Sequence, residues 1–340
     1  MVLRVEEVSV EEACRAGWDD LLTAEDGFQQ SGWLRMQEQL LGDRLRVVCL
    51  WDGSDLAAGL VTVGTDATSP WTMARPDLLL DVDAEASLPA LTCGGRHLGN
   101  TRAVVRAARD VALLDLLIDD VAARAETRAD RCVFFPHVRD DDPLAGRLAA
   151  AGFVPSAVDP YCVLPVTGTF EDYLSGVSQS KRRGIRRDRR EVREAGFDLD
   201  LVTLADCDLD RLAELDVALL RKHGSVADLR QSRAVLEGLA GGPDALVTTA
   251  SLDGAVAGFG VMLEHERHGS RQWFGNRAGF DYERQGEVPL YFEVLFYSPY
   301  EWAAERGVDA IHVGMGSTGA KVGRGAVAHP QSCWVRWTAA

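Results

Sequence analysis

Two cations, Lys321 and Arg324, stand among five glycines in HVGMGSTGAKVGRGAVAHP, residues 312–330. Glycine lets a backbone come close to a ligand, and lysine and arginine bring positive charge to the same place. In that pattern Arg324 can clamp a carboxylate or phosphate with two parallel N–H bonds. Lys321 can bind an acceptor carboxylate or neutralise the charge that develops on an oxyanion; the alternative is that Arg324 pairs structurally with an acidic side chain and Lys321 is solvent-exposed. Gly314, Gly316 and Gly325 are the positions expected to bring backbone N–H groups against the same anion. A nucleotide P-loop is excluded, because G-x-x-x-x-G-K-[ST] needs glycine directly before the lysine and a hydroxyl directly after it. Here Ala320 and Val322 occupy those places.

A second charged feature lies upstream in SKRRGIRRDRREVREAG. From Lys181 to Arg193 the chain carries Lys181, Arg182, Arg183, Arg186, Arg187, Arg189, Arg190 and Arg193 against only Asp188 and Glu191. At helical spacing Arg182, Arg186, Arg189 and Arg193 share one face, with Arg183, Arg187 and Arg190 on the next. Like charges three and four apart cost about 0.2–0.5 kcal/mol per pair. The pairs Arg187–Glu191 and Arg190–Glu194 offset only part of that cost. A helix that tolerates this repulsion either faces phosphates or is a solvated face that pairs with carboxylates elsewhere on the acidic chain.

Other candidates are scattered. His312 lies mid-strand on the face of Ala310, which puts its ring either along a cleft, as a candidate catalytic group, or in the core. Tyr291 and Tyr297 are six apart, so on an α-helix at most one points at substrate. Asp281 and Glu283 follow the strand RQWFGNRAGF and can accept a proton from an amine, or remain solvated turn residues. Trp33 is expected to anchor a helix. Histidines and cysteines are too dispersed for a metal site, so no metal is expected.

These residues need elements to position them. RLRVVCLWDGSDLAAGLVTVG reads as strand, turn at Asp52-Gly53 and returning strand, and ALVTTASLDGAVAGFGVMLE repeats the figure two hundred residues later with Asp253-Gly254. Each hairpin is followed by a long helix and a buried-looking strand: RCVFFPHV in the first half, AIHVG in the second. The first half closes with PLAGRLAAAGFVPSAVDPYCVLPV, a helix, a Gly-Phe stop and a strand. The pattern predicts an α+β (mixed-sheet) protein of two similar domains, residues 1–165 and 166–340, the second carrying both the basic helix and the glycine-rich loop.

Composition is compatible. Apolar residues make up 46% of 340, enough for a substantial core. A net charge of −16 argues against a general polyanion binder but leaves local basic patches open. The seven cysteines form no CxxC pair and read as reduced core thiols. No secretion signal and no membrane-spanning run is apparent, which predicts a cytoplasmic protein.

Three stretches resemble a known arrangement. They are YLSGVSQSKRRGIRRDRREVREAG, the helix LYFEVLFYSPYEWAAERG, in which Tyr297 matches a tyrosine of the pattern, and KVGRG, which matches K-x-x-R-G. Together they resemble the Fem-like transferases, proteins built of two GNAT-like domains in tandem and including a group tied to peptidoglycan biosynthesis. The likeness runs over residues 165–335; the first half matches in architecture only. The spacing of the glycines to Lys321 departs from that group. The resemblance implies transfer of an acyl or aminoacyl group to an amine, with no resident cofactor, from a donor carried on tRNA or on coenzyme A. A coenzyme-A site offers R/Q-x-x-G-x-G/A between the fourth strand and the next helix. NRAGFDYERQGEVPLYFEV lacks that spacing, and RHLGNT, starting at Arg96, places Thr101 where glycine belongs. Aminoacyl-tRNA is therefore the expected co-substrate, with Lys181 to Arg193 as its binding helix. An acyl-CoA-dependent N-acyltransferase and a non-catalytic binding module are the alternatives.

Overall fold

Runs of valine, leucine and alanine punctuated by glycine and aspartate fold as strands. Their positions are taken from a computed structural model that describes residues 3–69, 74–94, 99–107, 111–224, 227–242 and 244–338. Among these residues the strands are β1 (Leu3–Val8), β2 (Leu45–Asp52), β3 (Asp55–Thr65), β4 (Ala90–Cys93), β5 (Val104–Val105), β6 (Cys132–Arg139), β7 (Val154–Pro165), β8 (Asp198–Thr203), β9 (Ala245–Leu252), β10 (Ala255–Arg267), β11 (Ser270–Phe280), β12 (Ala310–Gly314) and β13 (Val327–Trp337).

The chain forms two compact units, residues 1–161 with 328–340, and residues 162–327. The chain passes from the first unit to the second within β7 and returns along β13. The division thus falls just before the expected 165/166 boundary, and the last strand packs with the first half of the sequence. The sequence pattern names no strand here; β13 lies between β6 and β7 and pairs antiparallel with β6.

Within the first unit the strand order is β1-β2-β3-β4-β6-β13, with β5 beside β3. All pairings are antiparallel except β4 with β6. The helix Leu113–Arg128 buries Leu114, Leu117, Ile118, Val121 and Ala125, a 3.6-residue stripe that joins one core with Val48, Leu60 and Phe135 of the sheet. Trp33 is buried on the helix Ser31–Leu41 and packs on Phe28 with ring centroids 5.2 Å apart.

The second unit repeats the scheme as β8-β9-β10-β11-β12, followed by the last residues of β7, with β11 and β12 the parallel pair. Its β9–β10 turn is Asp253-Gly254, both at positive φ, as a tight hairpin requires. In the first unit Asp52 pairs with Asp55, so the turn is Gly53-Ser54, one residue later than the expected Asp52-Gly53. The helices Leu209–Lys222 and Leu290–Phe292 pack on this sheet. A Cβ on Gly279 of β11 would come within 2.4 Å of the backbone of Leu215, so glycine there permits close helix–sheet approach.

Both parallel pairs are short. β4 and β6 match for three residues, Ala90–Thr92 with Cys132–Phe134, and β11 and β12 for three, Gln272–Phe274 with Ala310–His312. Beyond Phe274, β11 continues to Phe280 without β12 beside it. A β-bulge sits at this point: Met262 faces Gly275 and Val261 faces Arg277, which leaves Asn276 as the extra residue. Bulges bend the strand that carries them. Here the bend coincides with the parting of the two parallel strands, and a wedge opens between them.

Candidate functional site

The glycine-rich loop leaves β12 where the wedge of the second unit opens. Gly314, Gly316 and Gly325 have φ of 67°, 75° and 88°, the left-handed region that glycine occupies without strain. The turn this produces points three successive carbonyl oxygens at one place. Lys321, on the short helix Thr318–Val322, fills it: its Nζ donates to the carbonyls of Val313 at 2.6 Å, Gly314 at 3.1 Å and Met315 at 2.6 Å. An ammonium has three N–H donors. Lys321 is buried, and its charge is directed at the loop's own backbone. The expectation that it projects charge toward a ligand is corrected accordingly: three convergent carbonyls, partly withdrawn from water, need a donor, and this lysine is the donor.

Arg324 lies one turn further on. Its Nε–H donates to the Tyr297 hydroxyl at 2.8 Å, and its Nη1 to the Ala320 carbonyl at 3.2 Å. Nη2 lies 3.6 Å from Asp188 Oδ2. The guanidinium carbon sits 3.2 Å from the centroid of the Phe292 ring and 5.8 Å from that of Tyr297. The Tyr173 hydroxyl donates to the Arg324 carbonyl at 3.0 Å. Burial pushes the Tyr173 hydroxyl up to about 12. The arginine side chain retains 14% exposure.

Phe292 and Tyr297 meet the same guanidinium because Glu293–Tyr297 is a π-helical turn. In an α-helix residues five apart point about 140° away from each other. With i→i+5 bonding they stack one turn apart, and such turns concentrate at functional sites. Ser298 and Glu293 show the same spacing, with Ser298 Oγ donating to Glu293 Oε1 at 2.8 Å. Burial raises the Tyr297 hydroxyl well above its ordinary value, against the pull of Arg324, so it stays a neutral phenol. Tyr291 is also raised by burial, with Arg324 opposing. Both tyrosines therefore lie within the field of Arg324, which an α-helical reading of their spacing does not anticipate.

The basic helix, Gln179–Glu194, buries Ile185, Asp188 and Val192, at spacings of three and four. That face, and not charge alone, fixes its orientation. Asp188 accepts from the Tyr297 hydroxyl at 3.1 Å. Arg189 donates to Glu293 at 3.1 Å and to Glu301 at 2.7 Å, and lies over the Phe170 ring at 4.4 Å. Burial raises the Glu293 carboxyl, with Arg189 opposing. Arg182 caps the preceding helix, donating to the carbonyls of Leu174 at 2.7 Å and Ser175 at 3.1 Å. The expected single face of Arg182, Arg186, Arg189 and Arg193 is thus divided: two of its arginines are internal braces. Arg186 pairs with Glu171, Arg187 with Glu191 and Arg190 with Glu194, all at the surface. Lys181, Arg183 and Arg193 are exposed and have no carboxylate partner among the described residues. A Cβ on Gly323 would come within 2.9 Å of Lys181 Nζ, so this ammonium lies against the loop that carries Arg324.

His312 is separate from this cluster. It is buried, bonds Gln272 through Nε2 at 2.6 Å and stacks on Phe274 with centroids 4.0 Å apart. These contacts make it a core residue of the parallel pair. Asp281 caps the turn Tyr282–Gln285 and pairs with Arg211 at 2.6 Å. Burial works against ionisation, but the Arg284 N–H and the Arg211 guanidinium hold the Asp281 carboxyl below its ordinary value, which makes it a poor base. Glu283 is exposed. Asp188, Phe292 and Tyr173 escape the sequence reading. Only Asp188 carries a signal, as the lone acid spaced with Ile185 and Val192.

In the first unit Arg96 lies outside the described residues. The neighbouring N–H of Thr101 donates to the His137 carbonyl at 2.9 Å and that of Asn100 to the Gln331 side chain at 3.3 Å. A cavity of about 380 Å³ in this unit, lined by Glu126, Asp130, Arg131 and Trp337, lies where β4 and β6 begin, away from where they part. Among the described residues no three His, Cys, Asp or Glu side chains are grouped to hold a metal ion, and no helix is long and apolar enough to cross a membrane.

Two consecutive units, each with a hairpin, a short parallel pair and a helix beside it, have the tandem-GNAT arrangement of an acyl- or aminoacyltransferase. The chain belongs to the FemAB-like family of peptidoglycan biosynthesis/recognition, whose model matches residues 164–339. Among solved structures it is similar to FemX, with a TM-score of 0.67 at 12% identity over 98% of this chain and 97% of the other. It is similar to L-PGS from Bacillus licheniformis, with a TM-score of 0.61 at 14% identity over 98% and 94%. A tandem GNAT protein from the clavulanic acid biosynthesis pathway matches with a TM-score of 0.58 at 12% identity over 100% and 99%. At these identities the likeness is one of fold. A comparison with curated proteins found no match.

Proposed function

We propose that the chain transfers an aminoacyl group from aminoacyl-tRNA to an amine acceptor, in chemistry related to peptidoglycan. The observation that carries this reading is the exposed edge of the basic helix. Lys181, Arg183 and Arg193 are exposed without carboxylate partners among the described residues, on a chain of net charge −16, while Asp188 and Arg189 fasten the same helix to the π turn beside Arg324. Uncompensated cations on an acidic protein suit a polyanion that releases counterions on binding.

The end of β11 argues against a coenzyme-A pyrophosphate in the second unit. Where pyrophosphate would need open N–H groups, Asp281 already accepts from Arg284 N–H, Glu283 and Glu287 follow, and Pro289 opens the next helix without an N–H.

In the reaction the amine nitrogen attacks the ester carbonyl carbon, a C–N bond forms, and the C–O bond to the ribose breaks. The proton lost by nitrogen ends on the departing ribose oxygen, so no net acid or base is consumed. Arg324 directs its remaining N–H groups at a carboxylate or phosphate of the bound substrates, and backbone N–H groups of the glycine-rich loop add donors. Lys321 keeps the loop in the shape that presents them.

A transfer assay with labelled aminoacyl-tRNA and amine acceptors, run beside acetyl-CoA, tests the reading. Amide product from charged tRNA supports it. Turnover of acetyl-CoA without tRNA binding replaces it with the N-acyltransferase, and absence of turnover with either donor leaves a binding module.

A further inference from the structure

We propose that Asp188 and Tyr297 are positioning residues that build, with Phe292 and the Ala320 carbonyl, a receptor for the Arg324 guanidinium; the proposal rests on the reading that Arg324 meets substrate. The hydroxyl of Tyr297 has one proton to give and gives it to Asp188 at 3.1 Å. Its lone pairs are thereby turned to the Nε–H of Arg324 at 2.8 Å. Asp188 acts twice, as the acceptor that orients the phenol and as the negative charge 3.6 Å from Nη2. Phe292 presents its ring to the flat face of the same group at 3.2 Å.

Nε, both Nη groups and one face of the guanidinium are therefore met by groups on three separate segments. Tyr297 and Asp188 are buried, whereas Arg324 is not wholly so. A buried carboxylate and phenol are expensive to keep merely to brace a loop, since apolar side chains of similar size stabilise as well or better. Their geometry matches a guanidinium specifically: an ammonium has neither the Nε–H to meet the phenol nor the plane to lie on Phe292.

The test uses Arg324→Ala, in which the receptor is left with its walls. Methylguanidinium is titrated calorimetrically into this variant, with methylammonium as a probe of equal charge, and the titrations are repeated in Arg324→Ala/Asp188→Asn and Arg324→Ala/Tyr297→Phe. Saturable binding of methylguanidinium but not methylammonium, weakened about tenfold or more in each double variant, is expected from loss of a charge-assisted bond. No saturable binding, equal affinity in the double variants, or equal binding of the two probes overturns the proposal.

Should Arg324→Ala fail to fold, the parent with ¹⁵N-labelled arginine supplies the second measurement. The Arg324 Nε–H resonance, assigned by its loss in Arg324→Lys, is expected to be protected from solvent exchange and to lose that protection in Asp188→Asn. Unchanged exchange sinks the proposal. Restored transfer activity, following the same saturation as binding, supports both the receptor and the substrate role of Arg324. Binding without restored activity upholds the receptor and removes the substrate role.

Discussion

Asp188 and Arg189 are neighbours in sequence, yet they grip opposite ends of one π-helical turn. Asp188 takes the hydroxyl of Tyr297, and Arg189 donates to the carboxylate of Glu293. The basic helix is thus tied at adjacent residues to the turn that holds Arg324. Charge on this helix serves two purposes, internal bracing and an outward-facing edge.

Arg324→Lys tests whether the guanidinium fork matters. Lysine keeps the charge but cannot reproduce the Nε bond to Tyr297 or the stacking on Phe292. The expected result is a fall in kcat/KM of about 10²-fold with little change in thermal stability. Steady-state kinetics on a variant shown to be folded decides it; a turnover equal to the parent's means that Arg324 does not act on substrate.

Lys321→Ala is expected to act through stability. Three half-buried carbonyls lose their donor, which costs roughly 2 kcal/mol of unfolding free energy. Urea denaturation measures this directly. A variant as stable as the parent but slower by about 10²-fold in kcat would return Lys321 to the chemistry.

The arginines of the basic helix should separate into two groups. Arg183→Glu and Arg193→Glu are expected to weaken tRNA binding and to reduce its salt dependence by about one unit of log–log slope per lost phosphate contact. Arg189→Glu sets a carboxylate beside Glu293 and Glu301 and should destabilise the fold by about 3 kcal/mol. Filter binding across a salt series, together with melting curves, distinguishes them. Unchanged slopes for the first pair would remove the support for a tRNA donor.

Asp281 predicts a pH dependence. Its folded value lies below the ordinary 3.8, so its ion pair with Arg211 and its cap contribute stability above that value and lose it as pH falls through the depressed one. Asp281→Asn should therefore be less stable than the parent at neutral pH, with the gap closing in acid. A gap independent of pH would mean that packing, and not ionisation, explains the residue.

The sequence by itself determined the local pieces. Two hairpins at matching places, helices with 3.6-residue stripes and a glycine-rich loop follow from short-range periodicity and backbone preference, whereas Tyr297 and K-x-x-R-G stood out only as separate stretches of a family resemblance, and folding brings Tyr297 to Arg324. Tertiary structure decided which charges remain available. Lys321 is spent on the carbonyls of Val313, Gly314 and Met315, Arg189 on Glu293 and Glu301, and His312 on Gln272 and Phe274, because each was brought by folding against a partner remote from it in sequence or on another element. The assignment of β13 to the first unit, and the π turn that stacks Phe292 with Tyr297, were likewise beyond a pattern reading. Pairing partners and a one-residue change of helical pitch depend on long-range packing, for which periodicity along the chain carries no signal.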